Sequence, residues 1–233
     1  FGFGLEGVLL KRKNDVYGIL NGLDYSIWNP QTDKFIAEKY SLKDMDGKKT
    51  DKKDLQEICN LPAKANIPLC GIVSRLAEQK GFDILAEAID IICKMELQIV
   101  ILGTGDIKYH QLLEETVKKY PKIISLHLKF DDALAHKIYA GSDIFLMPSK
   151  YEPCGLGQLI SLRYGTIPLV FKTGGLADTV NSHNGFVFDE YSSKALIKTI
   201  ESALIKFGNK NKWSDLMQRA MKCDFSWDEQ SGE

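Results

Sequence analysis

A parallel β-sheet covered by helices on both faces, an α/β architecture, is the fold this sequence predicts. Three observations predict it. From about Pro68 onward, short apolar runs alternate with amphipathic stretches. The runs have the length of buried strands and the stretches the length of helices. Gly- and Pro-bearing turns separate them. A helix-length connection carries the chain back to the same end of the sheet, so successive strands run parallel with right-handed crossovers.

The elements follow in order. Residues 69–74 read as a buried strand, and 81–95 as a helix with Ile84, Leu85, Ala88 and Ile92 on one face. Residues 97–102 form the next strand, ended by Gly103-Thr104-Gly105. A helix over 107–119 stops at Pro121. Then come a strand at 123–128, a helix at 133–140, and a strand at 144–147 ended by Pro148. A helix at 156–164, a strand at 167–171, a short helix at 176–180 and an extended piece at 185–188 continue the pattern. Helices over 192–207 and 212–222 close it. The first sixty residues differ. They are read as a lead-in segment with helices on an interdomain side (1–60), ahead of the sheet domain (61–233). The charged run 43–54 (KDMDGKKTDKKD) is expected to be a solvated loop. Asp44-Met45-Asp46 has the form of a D-x-D metal motif but follows no apolar strand, so it is read as a chance match.

Composition narrows the function classes. The 233 residues carry 30 Lys plus Arg against 31 Asp plus Glu. That balance favours neither nucleic acid nor an anionic membrane as partner. No apolar run is long enough to span a bilayer. The 5 cysteines are odd in number, and none stands with another at metal-ligand spacing. A reducing compartment without structural zinc is the expectation. The chain opens at Phe1, and its FGFG start lacks the basic and apolar regions of a secretory signal.

In open parallel sheets ligands bind at the carboxyl ends of the strands, so the loops there carry the chemistry. Arg75 and Lys80 bracket the first strand-to-helix turn, SRLAEQKG. An Arg fork, a Lys point charge and helix-start amides suit a diphosphate. The loop LGTGD (102–106) fails as a dinucleotide fingerprint, because Lys108 stands at its third position. It reads instead as a tight turn whose glycines let the backbone pass close to a ligand. In PSKYEPCGL (148–156), Glu152 sits in a loop stiffened by Pro153, and Gly155 leaves amides open. Glu152 suits sugar hydroxyls or developing positive charge. Thr173-Gly174-Gly175-Leu176 is a further glycine-rich turn with free amides.

These stretches together resemble the bacterial glycogen synthase and plant starch synthase family. ILNGLD (19–24) with WNP behind it, Tyr164-Gly165-Thr166 and Asp224-Phe225-Ser226-Trp227 agree with it, in order and over nearly the whole chain. The resemblance implies the C-terminal, Rossmann-like half of a GT-B glycosyltransferase. It implies transfer of glucose from ADP-glucose to an α-1,4-glucan acceptor with retention and with neither metal nor other cofactor. By position, Arg75 and Lys80 match the diphosphate pair and Glu152 the essential glutamate beside the donor glucose. Cys154, Gly155 and Leu156 match the loop that holds that glucose, with Thr173 in the neighbouring turn. Phe130 matches an aromatic that stacks on the nucleobase, and Asn21 a cleft-facing asparagine.

The family's N-terminal domain carries a KxGGL motif; the string of that form here, Lys172-Thr173-Gly174-Gly175-Leu176, lies in the turn after the strand at 167–171 and not ahead of the sheet domain. The family's C-terminal helix should begin near Trp227 and run past Glu233, and its tyrosines are absent. The resemblance therefore implies a truncated or excised domain, inactive in transfer by itself, whose partner is the other half. A cytoplasmic location is expected, or the plastid stroma for a plant or algal relative. The alternatives are another GT-B transferase, sucrose synthase-like, or a nucleotide-binding module. Ile160 stands where E-x7-E enzymes carry a second glutamate, which speaks against the first and favours a front-face route without a second carboxylate.

Overall fold

The computed structural model describes residues 4–18 and 20–230. Ile19, the first residue of the ILNGLD stretch, lies outside the described residues, as do residues 1–3 of the FGFG start and the 231–233 end of the expected C-terminal helix.

Among the described residues six strands form one sheet: β1 (Leu69–Val73), β2 (Gln98–Leu102), β3 (Ile124–His127), β4 (Ile144–Met147), β5 (Ile167–Phe171) and β6 (Phe186–Phe188). Their order is β3-β2-β1-β4-β5-β6, and every pairing is parallel. The helices are α1 (Glu6–Lys11), α2 (Asp46–Ile58), α3 (Phe82–Ile92), α4 (Ile107–Lys119), α5 (Asp132–Gly141), α6 (Gly157–Arg163), α7 (Gly174–Thr179), α8 (Ser193–Phe207), α9 (Lys210–Met221) and α10 (Trp227–Gln230). The strand-and-helix order expected from residue 69 onward is therefore the order observed. No helix among the described residues is long and apolar enough to cross a membrane.

Period-two alternation splits the sheet between two cores. Cys70, Ile72, Ile99, Ile101, Ile144 and Leu146 pack with α3, α4 and α8. Leu69, Val100, Leu102 and Phe145 pack with α2 and α5. Apolar strands buried on both faces are what a covered parallel sheet requires.

The charged run corrects the sequence reading. Residues 46–58 form helix α2, not a solvated loop. Lys48, Asp51, Lys52, Leu55 and Gln56 recur at helical spacing on its buried face, against α5. Lysine stems supply apolar contact while their heads find acceptors. Lys48 Nζ donates to Ala140 O (2.7 Å), Tyr164 O (3.1 Å) and Thr166 Oγ1 (2.7 Å). Two of these are carbonyls near the ends of α5 and α6, where a cation is favoured. Burial pulls this ammonium down to about 7 and pushes the Asp51 carboxyl up to about 6. Asp44 and Asp46 take local roles at the start of α2: Asp44 Oδ1 accepts from Asp46 N (3.1 Å), and Asp46 pairs with exposed Lys49.

Lys52 Nζ meets Asp143 Oδ2 at 2.7 Å, with both side chains nearly buried. The same carboxylate oxygen accepts from Leu69 N (2.8 Å) at the start of β1. Replacing Lys52 by Met leaves Asp143 as an uncompensated charge, so a loss of about 3 kcal/mol is expected. Urea denaturation checks this; a loss below about 1 kcal/mol would show that the pair is solvated like a surface pair.

The segment before α2 is bound to the domain. Leu23 N donates to Phe225 O (2.7 Å). Trp28 stacks on His136 with ring centroids 4.0 Å apart. Asp33 Oδ2 accepts from His136 Nδ1 (2.6 Å) and from Tyr164 OH (2.5 Å).

Candidate functional site

After β1 the chain turns toward β2, and after β4 it turns toward β5. The crevice between the carboxyl ends of β1 and β4 is thus the topological switch point. A cavity of about 190 Å³ lies there, and Arg75, Lys80, Ser149, Glu152 and Leu156 are among the residues that line it.

Backbone geometry brings the two loops together. Gly81 adopts φ +82°, and a Cβ there would lie 2.1 Å from Pro148 O. Lys150 N donates to Gln79 O (3.0 Å) across the same junction. Lys80 Nζ then reaches Glu152 Oε2 at 2.5 Å. Ser149 Oγ donates to the same oxygen at 3.3 Å. Glu152 is only 7% exposed. Arg75 is exposed, and its Nη2 donates to Gln79 Oε1 (3.1 Å). The crevice therefore holds one buried carboxylate, one cation locked to it and a second cation facing solvent.

The remaining expected site residues sit around this centre. Leu156 is 45% exposed at the cavity edge. Cys154 is a free, half-buried thiol, and Gly155 adopts φ +78°. Thr173 is buried at the start of α7. Phe130 is 91% exposed in the loop after β3, at the same end of the sheet, and does not line the cavity. Asn21 is exposed beside the segment paired with residues 225–226 and is likewise outside the lining.

Two glycine readings are corrected. At Gly103 and Gly105 an added Cβ would lie 1.8 Å from Ser74 O and 2.2 Å from Leu76 O. The close approach these glycines permit is that of the neighbouring loop of this chain. In the TGGL turn the amide of Gly175 is not free: it donates to Glu152 O (3.1 Å) and Pro153 O (3.2 Å). In the 148–156 loop the amides of Cys154, Gly155 and Leu156 make no hydrogen bond among the described residues, and in the TGGL turn that of Gly174 makes none.

Sequence reasoning passed over Ser149 and Gln158. Both lie inside or just after the PSKYEPCGL stretch. A serine before a glutamate is common, and a polar residue in a helix gives no sign of burial from its type alone.

Fold and crevice together define the class: a Rossmann-like domain that is one half of a GT-B glycosyltransferase. The chain belongs to the group 1 glycosyl transferases, whose family model matches residues 54–218. It is 52% identical over 97% of its length to a glycogen synthase of Geotalea uraniireducens, covering 48% of that protein. It is 49% identical over 100% of its length to a glycogen synthase of Thermosipho africanus, covering 50% of it. Among solved structures it superposes on the catalytic domain of starch synthase IV from Arabidopsis thaliana, bound to ADP and acarbose. That match has a TM-score of 0.93 at 34% identity and covers 99% of this chain and 50% of the other. The chain spans about half the length of the curated relatives it matches.

Proposed function

We propose that this chain is the donor half of a retaining α-glucan glucosyltransferase that takes glucose from ADP-glucose. The observation that carries the reading is the Lys80–Glu152 pair with Arg75 at the switch-point crevice. Similarity to glycogen synthases and to an ADP-bound starch synthase supports it.

Breaking the bond between the anomeric carbon and the diphosphate puts negative charge on the leaving oxygen and positive charge on the sugar. Lys80 and Arg75 face the first, and Glu152 answers the second. One cation about 4 Å from the leaving oxygen has a gross Coulomb term of roughly 4 kcal/mol at an effective dielectric near 20. Only the part that grows in the transition state speeds the reaction. Two cations share the work of leaving-group stabilisation, so the reading calls for no metal ion or other cofactor. With Ile160 in place of a second carboxylate, attack from the leaving-group face through an ion pair fits retention.

Transfer needs the acceptor held in line and water kept out, which two closing domains provide. The α-1,4-glucan and the rest of a relative-length protein are the proposed partners, in the cytoplasm or a plastid stroma. Incubated with ADP-glucose and glycogen, this chain alone is expected to release ADP at no more than a trace of the rate of a relative-length enzyme. Glucan-dependent turnover at a comparable rate would overturn the half-site reading.

A further inference from the structure

We infer that Gln158 is a positioning residue for the donor sugar, an inference that rests on the function proposed above. Its side chain is fully buried at the second position of α6. Nε2 donates to Cys154 O (3.0 Å) and Gly155 O (3.1 Å), with Thr179 Oγ1 at 3.2 Å. Oε1 is buried with no partner. The amide orientation is nonetheless settled, because a flip would set Oε1 against two carbonyl oxygens.

This side chain completes a row. The carbonyls of Glu152 and Pro153 are held by Gly175 N, and those of Cys154 and Gly155 by Gln158 Nε2. Four successive carbonyls are thereby drawn toward α7 and the core of the loop. Along an irregular loop, fixing the carbonyls fixes the peptide planes, and with them the directions of the amides. The amides of Cys154, Gly155 and Leu156, which make no hydrogen bond among the described residues, are thereby aimed as donors for sugar hydroxyls. A Cβ added at Gly155 would lie 2.4 Å from Gln158 Oε1, so Gln158 also packs the loop from beneath.

Two variants, two ligands and one method test this. Calorimetry measures ADP and ADP-glucose binding to this chain as Gln158→Met and Gln158→Glu. Gln158→Met keeps the bulk and removes both donor hydrogens. Its ADP-glucose affinity is expected to fall about tenfold, the size of one or two net hydrogen bonds, with ADP affinity within about twofold of the unaltered chain. In Gln158→Glu the introduced carboxyl faces two carbonyl oxygens, which favour its protonated form. It then donates one hydrogen, so ADP-glucose affinity should recover in part at low pH and decline as pH rises, with ADP affinity flat. If Gln158→Met does not fold, the pH series on Gln158→Glu is read by itself. Equal loss of ADP and ADP-glucose affinity, or no pH dependence in the ratio of the two, overturns the positioning role. If the unaltered chain binds neither ligand, the proposed function fails instead.

Discussion

Replacing Glu152 by Gln is expected to lower glucose transfer about a hundredfold or more, the scale for losing one preorganised electrostatic contact at a reacting centre. The substitution keeps the volume of a side chain that is 7% exposed, so the fold should stand. On the proposed mechanism, the charge lost is the one that answers the developing oxocarbenium ion. The loss should fall on kcat, because a group that acts on charge formed only in the transition state does little for ground-state binding. ADP affinity should hold or rise slightly. In the free chain Glu152 occupies Lys80 at 2.5 Å, and its neutral replacement releases that cation to the diphosphate. The assay requires a protein of the length of its relatives, with donor turnover and ADP binding measured side by side. Turnover near that of the unaltered enzyme would remove Glu152 from the reaction.

Lys80→Ala is the second large effect, and it should strike binding. Loss of a charge-assisted hydrogen bond to the diphosphate alone costs roughly 1.5–3 kcal/mol. A second penalty adds to it. Without Lys80, the Glu152 carboxylate keeps only Ser149 Oγ, at 3.3 Å, and stands uncompensated beside an incoming anion. Adenosine, which lacks the diphosphate, should bind as before. Arg75→Ala should weaken ADP less, because that guanidinium is exposed and screened, with Gln79 as its partner. Calorimetry with ADP and adenosine separates these cases. Equal ADP affinity in all three proteins would place the phosphate site elsewhere. Because Lys80 and Glu152 touch, the double variant should not show the sum of the single effects.

Much of this was legible in the sequence because the sheet is simple. A strand buried on both faces writes itself as a short apolar run, and β2, β4 and β5 were bounded that way to within a residue. The strand-end loops followed from the rule that ligands sit at carboxyl ends. Helix α2 was not legible for a physical reason. Its buried face is built from Lys48, Asp51, Lys52 and Gln56, and hydropathy counts such residues as solvent-facing. Lys48 finds its acceptors at Ala140 O, Tyr164 O and Thr166 Oγ1, and Lys52 its carboxylate at Asp143, all far along the chain, which local pattern cannot see.

The loop glycines failed in a similar way. Residue type shows that a backbone comes close, but not to what; at Gly103 and Gly105 it is residues 74–76 of the same chain. Gln158 was equally hidden, since its role depends on where the carbonyls of Cys154 and Gly155 point. The direct Lys80–Glu152 contact joins two motifs that the sequence showed separately, 72 residues apart.

The central claim is that the crevice between β1 and β4 is a donor site. Titrating ADP-glucose into this chain in a calorimeter tests it most directly. The account predicts saturable binding at one site, displaced by ADP and weakened when both Arg75 and Lys80 are replaced by Ala. No saturable heat, or the same affinity in the doubly substituted chain, would contradict it.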